Sequence, residues 1–222
     1  MFQGKEHGGI SFSVMETVAR ELMALQKIGV QVAVVVGGGN MFRGRDVRNR
    51  TVGRVTADSL GMLGTIMNAI ALRAVLERLE AEAVIFSAVP VAGMAEAYQL
   101  EDAARALRNK KIVILAGGTG NPYFSTDTAV VLRALELTAA AVFKATKTDG
   151  VYDKDPFKHK DAKKFDEVTY ATALKLRLGV MDQTAFALAA NNDLPIVVFK
   201  FEPGALVDAA RGKKIGTVVK DA

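Results

Sequence analysis

Two glycine-rich loops, each directly after an apolar run, contain the residue types best suited to bind a charged ligand. Residues 30–36 (VQVAVVV) run into GGGN at 37–40, with Arg43 shortly after, and the apolar run KIVILA leads into GGTGNPYFSTDTA at 117–129. Glycines let backbone amides approach an anion without an intervening side chain, and such amides form a nest for phosphate oxygens. The loops predict a phosphate site; the alternative is that the glycines only permit tight turns.

The second loop also leads into a predicted helix. Ser125 or Thr126 can cap that helix, and its N-terminal end favours the same negative charge. Neither loop contains G-x-x-x-x-G-K-[ST], and GGGNMFRG does not fit G-x-G-x-x-G. A Walker-type NTPase and a Rossmann dehydrogenase are therefore both disfavoured.

Two further segments carry polar groups after predicted strands or before helices. KATKTDGVYDKDP, at 144–156, combines lysine and aspartate side chains with the ring of Tyr152. This segment could hold a nucleotide, with the ring against a base, or it could be an ordinary polar turn. Asp182, in GVMDQTAFALAANNDLPIVVF, precedes a predicted helix, and its simplest role is a helix cap.

Helical and strand patterns alternate along the chain, which is typical of a mostly parallel sheet covered by helices. The 222 residues, half of them apolar, suit one α/β domain spanning 1–222. The patterns predict strands at 30–36, 83–87, 111–116, 141–145, 195–199 and 215–219, and helices at 13–28, 55–80, 95–108, 127–138, 169–177, 183–191 and 204–210.

Composition excludes several kinds of chemistry. The chain has no cysteine, which removes disulfides and thiol catalysis, and its two histidines, His7 and His159, are too few for a histidine metal site. No apolar run is judged to approach the length of a membrane span, so a soluble cytoplasmic protein is expected. The balance of 29 basic against 24 acidic residues favours a small anionic ligand over nucleic acid or a membrane.

Taken together, the segments resemble the bacterial uridylate (UMP) kinases of the amino acid kinase superfamily. VVVGGGNMFRG, RVTADSLGMLGTIMNAIAL, AGGTGNPYFSTDTA, KATKTDGVYDKDP and VMDQTAFALAANNDLPIVVF occur in the order and spacing of that family. The resemblance implies a three-layer αβα sandwich with a mostly parallel central sheet, assembled as a homohexamer. It also implies ATP- and Mg²⁺-dependent transfer of the γ-phosphoryl group to UMP, with UTP as an inhibitor and GTP as an activator.

The resemblance also implies roles for individual residues. Gly38 would face UMP, Gly39 and Arg43 the transferring phosphates, and Asp58 the ribose of UMP. Asp182 matches the aspartate that orients the catalytic lysine, so Arg43 and Asp182 are the catalytic candidates; no protein side chain is assigned to a metal. The UMP loop would comprise Thr119, Gly120, Asn121, Pro122, Tyr123, Phe124, Ser125 and Thr126, and the ATP side would comprise Gly39, Arg43, Thr146, Tyr152 and Asp155.

One departure from the family concerns the first residues. The family begins with a strand ending in K-L-S-G-E, and MFQGKEHGGI resembles the stretch immediately after that motif. The family's lysine would then lie four residues before Met1. We therefore expect a longer natural protein, and weak or absent kinase activity from a chain that begins at Met1.

Two alternatives to a UMP kinase remain at this stage. One is another phosphotransferase of the same superfamily, acting on a carboxylate or a different phosphate. The other is a non-catalytic nucleotide-binding or storage protein on the same fold. A panel of substrates would separate the first from a UMP kinase, and binding of UMP and ATP without turnover would favour the second.

Overall fold

The structure, a computed structural model, describes residues 9–42 and 52–221, which form two compact units. The first unit comprises Met1–Thr126 and the second Asp127–Ala222, and each contains a four-stranded sheet. The elements of the first unit are α1 (Phe12–Lys27), β1 (Ala33–Val35), α2 (Arg54–Arg78), β2 (Ala83–Ser87), β3 (Glu96–Ala97), α3 (Leu100–Arg108) and β4 (Ile112–Ala116).

The sheet of the first unit has the strand order β1-β4-β2-β3, and every pairing in it is parallel. Val35 pairs with Leu115, and Ser87 pairs with Ala116, so β1, β2 and β4 end at the same edge. All five residues of β4 are buried, as expected for an apolar strand covered on both faces. The loops that follow these strands therefore begin side by side.

Helix α2 is the longest helix among the described residues and packs against α1, β2 and β4. By length and composition it could span a membrane, with a mean hydropathy of 1.5 in its apolar window, so the expectation that no apolar run approaches such a length was wrong. Half of that window is buried inside the protein. Such burial is typical of a core helix, and the packing of α2 against the sheet agrees with this interpretation.

The second unit is built around a mixed sheet with the strand order β5-β7-β8-β6. β7 and β8 are antiparallel, whereas β5–β7 and β6–β8 are parallel. Its elements are α4 (Thr126–Glu136, beginning at the last residue of the first unit), β5 (Val142–Thr146), β6 (Glu167–Val168), α5 (Tyr170–Lys175), α6 (Gln183–Ala190), β7 (Ile196–Lys200), α7 (Ala205–Ala210) and β8 (Thr217–Val219).

Tyr170 lies in the core of the second unit and is almost fully buried. Its ring meets that of Phe186 edge to face at 6.3 Å, and its hydroxyl donates a hydrogen bond to the carbonyl of Leu194. Burial raises the pKa of Tyr170 to about 12, because the ionised phenolate would lose its hydration. The hydroxyl therefore stays protonated and keeps its carbonyl partner at neutral pH.

The predicted mostly parallel α/β architecture is confirmed, with local corrections. The helix predicted at 95–108 begins only at Leu100, and β3 takes its first residues. Val91 and Ala95 form an antiparallel bridge, which turns the chain so that Glu96 pairs with Phe86 of β2. Pairing with a neighbouring strand thus overrides the helical pattern at this point.

Candidate functional site

The first glycine loop, at 37–42, packs directly onto the backbone of α2. A Cβ added to Gly38 would lie 2.4 Å from the carbonyl oxygen of Gly61 and 2.9 Å from the amide nitrogen of Thr65. Gly38 is buried by this contact, whereas Gly39 is exposed. Glycine at 38 is therefore required by the close approach of the loop to α2, and Gly39 presents its backbone at the surface.

Asn68 of α2 contacts the same loop and is completely buried. Its side-chain amide donates to the carbonyl of Gly37 at 2.7 Å and to the side-chain oxygen of Asn40 at 2.6 Å. The Asn40 amide donates in return to Asn68 at 3.0 Å and to the carbonyl of Gly9 at 2.8 Å. This pair, called here the Asn40–Asn68 clasp, fixes the loop through mutually satisfied buried groups.

The second glycine loop begins at Gly117 and is anchored by α2 as well. The Gly117 amide donates to the hydroxyl of Thr65 at 2.7 Å, and Gly117 has a φ of +74°. A Cβ there would lie 2.7 Å from the Ser87 hydroxyl and 2.8 Å from the Val89 amide. The loops after β1, β2 and β4 therefore converge on one edge of the sheet, where ligands of parallel α/β folds bind.

Asp58 and Tyr123, both predicted to bind UMP, are brought together. The Tyr123 amide donates to Asp58 Oδ2 at 2.7 Å, across 65 residues of sequence. Arg54 Nε lies 2.9 Å from Asp58 Oδ1 and 2.8 Å from Oδ2, and the Arg54 guanidinium lies 5.4 Å from the centre of the Tyr123 ring. The first turn of α2 and the predicted UMP loop therefore form one structural cluster.

The remaining residues of the predicted UMP loop follow one another around a tight turn. The Gly120 amide donates to the Gly117 carbonyl at 3.0 Å, and the Thr119 hydroxyl accepts from the Asn121 amide at 3.2 Å. A Cβ on Gly37 would lie 3.8 Å from the Thr126 hydroxyl, so both glycine loops meet there. Pro122 is partly buried, whereas Phe124 and Ser125 are exposed at the end of the loop.

In the second unit, two residues predicted for the ATP side, Thr146 and Tyr152, lie at the end of β5 and in the loop that follows it. The Thr146 hydroxyl accepts from the Thr148 amide at 3.2 Å and donates to the Thr148 carbonyl at 2.7 Å. The Tyr152 hydroxyl donates to Asp149 Oδ1 at 2.6 Å. This bond lowers the pKa of Asp149 and raises that of Tyr152, because it favours the carboxylate and the protonated phenol.

Asp155, the third of these residues, lies on an exposed turn. Its Oδ1 accepts from the Phe157 amide at 3.0 Å, and Lys158 Nζ lies 3.4 Å from Oδ2. The backbone bond foremost, and the lysine after it, lower the pKa of Asp155. The carboxylate is therefore ionised at neutral pH.

Asp182 caps α6, as its simplest interpretation predicted. Its Oδ1 accepts from the Ala185 amide at 2.8 Å, and the Thr128 hydroxyl lies 3.0 Å from Oδ2. Lys144 of β5 forms an ion pair with Asp127 at the start of α4. The second unit thus concentrates polar and charged side chains near the carboxyl end of β5 and the first turns of α4 and α6.

Several residues that position the site were missed by the sequence analysis, namely Arg54, Thr65 and Asn68. Each lies in RVTADSLGMLGTIMNAIAL, where polar residues interrupt an apolar helix. Gly61, Thr65 and Asn68 are spaced so that they lie on one face of a helix. This spacing is the signal that could have indicated a face of α2 turned toward the glycine loops. Arg43, the predicted phosphate cation, lies outside the described residues.

The geometry suits an anionic ligand in the first unit. The backbone of two glycine-rich loops, the carboxylate of Asp58 and the side chains of Tyr123 and Phe124 lie near the carboxyl ends of β1 and β4. These groups can bind and orient an anionic ligand through hydrogen bonds and ring contacts, and none of them is a histidine base.

Comparison with known proteins identifies the same family from a family model and from individual relatives. The model of the amino acid kinase family matches residues 4–200. A uridylate kinase from Legionella pneumophila (strain Corby) is 48% identical over 217 residues, covering 97% of this chain and 88% of that protein. A uridylate kinase from Bradyrhizobium sp. (strain ORS 278) is 49% identical over 217 residues, covering 97% and 91%.

Solved structures agree with the sequence relatives. The crystal structure of UMP kinase from Bacillus anthracis matches with a TM-score of 0.95 and 35% identity, covering 99% of this chain and 91% of that one. UMP kinase from Ureaplasma parvum matches with a TM-score of 0.89 and 32% identity, covering 96% and 91%. The predicted α/β fold is therefore shared with solved kinases over almost the whole chain.

Proposed function

Because the chain belongs to the amino acid kinase family and, within it, to the bacterial uridylate kinases, we propose that it transfers the γ-phosphoryl group of ATP to UMP, forming UDP. The observation that carries this proposal is the meeting of two glycine loops and Asp58 at the carboxyl ends of β1 and β4. The family model spans both units, which supports a single catalytic domain over residues 1–222.

UMP binds, in this proposal, to the first unit. Gly38 and the loop comprising Thr119, Gly120, Asn121, Pro122, Tyr123, Phe124, Ser125 and Thr126 surround the nucleotide, and Asp58 accepts a ribose hydroxyl. The exposed backbone of Gly39 and the guanidinium of Arg43 interact with the phosphates. The convergence of these loops on one sheet edge supports this assignment.

ATP binds to the second unit through the end of β5 and the loop that follows it. Thr146, Tyr152 and Asp155 contact the nucleotide, and the ring of Tyr152 offers a surface for the base. Mg²⁺ accompanies ATP and is held mainly by its phosphates, as is usual for this ion. The ionised Asp155 suits such a cation-bearing ligand, and no side chain is assigned as a direct metal ligand.

The chemistry needs few protein groups. The phosphate of UMP is already mostly dianionic near neutral pH, so its oxygen is the nucleophile and no general base is required. Catalysis then consists of aligning two charged phosphates and neutralising the charge with amides and cations. Asp182 acts by orienting a cationic side chain, consistent with its fixed position at the N-terminus of α6.

We further propose a cytoplasmic homohexamer that UTP inhibits and GTP activates, following the resemblance. A physical observation supports self-association: Leu60, Leu63 and Met67 of α2 are 38%, 47% and 48% exposed and share one helical face. This surface is called here the α2 stripe. A solvated helix face would ordinarily carry polar side chains at these positions.

Asp58→Ala tests the assignment of the UMP site. We expect UMP affinity to fall about tenfold or more, which is the effect of losing a charge-assisted hydrogen bond, while ATP affinity is unchanged. Calorimetric titration with each nucleotide measures both. An unaltered UMP affinity in Asp58→Ala would remove Asp58 from the acceptor site.

Arg43→Ala should reduce turnover far more than it changes thermal stability.

A further inference from the structure

Arg54, to which the proposed function gives no role, forms a closed arrangement with Asp58 and Tyr123. Arg54 and Asp58 are one helical turn apart on α2, which places them on the same face. Arg54 holds both carboxylate oxygens of Asp58 through Nε and lies over the ring of Tyr123. Asp58 completes the arrangement by accepting a hydrogen bond from the Tyr123 amide. These three residues are called here the Arg54 clamp.

Tyr123 needs such support because of its backbone. Its φ of +71° lies in the left-handed region, which side chains with a Cβ rarely adopt. Tyr123 is 66% exposed, so core packing does not hold it in place. The hydrogen bond from the Tyr123 amide to Asp58 and the guanidinium over the ring are described contacts that tie Tyr123 to α2.

The carboxylate oxygens of Asp58 have further acceptor positions for a ligand. A carboxylate offers about four acceptor positions. Oδ2 accepts from Arg54 and from the Tyr123 amide, whereas the described bonds of Oδ1 involve Arg54 alone. Asp58 can therefore hold the loop through Oδ2 and still accept a hydroxyl of a bound nucleotide at Oδ1.

We infer that Arg54 is a positioning residue for UMP. It fixes the rotamer of Asp58 through the guanidinium and restrains Tyr123 through its ring, so that the carboxylate and the loop are arranged before the nucleotide binds. This inference rests on the proposed function, since it concerns the same acceptor site. An exposed ion pair within a helix would alone stabilise little, and the link to Tyr123 is what gives Arg54 a role in binding.

The test compares Arg54→Ala, Arg54→Lys and the control Arg20→Ala. Arg20 is a matched control because it is 63% exposed, against 60% for Arg54, and also pairs with a carboxylate four residues away, Glu16, at 2.7 Å. We expect Arg54→Ala to weaken UMP binding about tenfold while ATP binding stays within about twofold. Arg54→Lys should recover only part of this loss, because the lysine ammonium lacks the planar, forked donor geometry of the guanidinium and stacks poorly on an aromatic ring. Arg20→Ala should bind both nucleotides normally.

Amide hydrogen exchange supplies a readout independent of nucleotide binding. The Tyr123 amide should exchange slowly in the unmodified protein and faster in Arg54→Ala, with Arg20→Ala unchanged. If the unmodified protein binds no UMP, the proposed function fails, and exchange alone decides whether the clamp exists. Faster exchange with unchanged UMP affinity would overturn the positioning role, and unchanged exchange and affinity would overturn the clamp altogether.

Discussion

At the scale of single residues, the buried side chains of α2 explain why the first glycine loop has a defined shape. Asn68 is fully buried, yet its amide is bonded to Gly37 and to Asn40. Buried polar groups are tolerated when they are satisfied and are costly when one partner is removed. The first glycine loop therefore depends on a buried side chain of α2.

Asn68→Leu should lower the free energy of unfolding by about 3 kcal/mol, because the Gly37 carbonyl and the Asn40 amide lose buried partners. It should also weaken UMP binding, since the loop loses its support. Urea unfolding and calorimetry measure the two effects. The control is Asn192→Ala, which removes an exposed amide at the end of α6 and should change stability by less than about 0.5 kcal/mol. Equal stability of the two variants would contradict the clasp.

Residues of the site could be predicted from the sequence only where a local pattern marked them. The glycine loops and Asp182 before α6 were recognisable from strand ends and helix starts. Thr65 and Asn68 were not, because their partners lie in other segments: Gly117 is 52 residues from Thr65. Arg54 pairs with Asp58 on the same helix, but its other partner, Tyr123, lies in the second glycine loop. A contact between distant segments leaves no local pattern, so sequence reasoning identified the loops but not the helix that holds them.

At the scale of elements, the sequence predicted central strands better than edges. The strands predicted at 83–87 and 111–116 agree with β2 and β4 closely, because buried parallel strands need continuous apolar runs. The two-residue edge strands β3 and β6 were missed, because a pair of residues carries no periodicity and forms a strand only through its neighbour. The apolar character of α2 was also underestimated, because threonine, glycine and asparagine interrupt it.

The α2 stripe gives a prediction for assembly. The double substitution Leu63→Glu with Met67→Glu should lower the oligomeric mass in analytical ultracentrifugation, because it introduces charges into the apolar surface that we propose lies between copies. Leu176→Glu is the matched control, since Leu176 is 48% exposed but lies at the end of α5 in the other unit. Its mass should equal that of the unmodified protein. An unchanged mass in the double variant would exclude the α2 stripe from the interface.

At the scale of the whole molecule, the residues that we propose bind UMP lie in the first half of the sequence, and most of those that we propose bind ATP lie in the second. The glycine loops and Asp58 lie in the first unit, and Thr146, Tyr152, Asp155 and Asp182 lie in the second. The family model and the solved structures extend over both halves. This distribution agrees with a reaction that brings together an acceptor nucleotide and a donor nucleotide.

The most direct test of the central claim is UDP formation from UMP and MgATP, with CMP as the control acceptor. The assay uses the 222-residue chain. We predict UDP formation from UMP and little or no product with CMP. If the chain is folded and binds UMP but produces no UDP, the kinase assignment is contradicted and a non-catalytic nucleotide-binding protein takes its place.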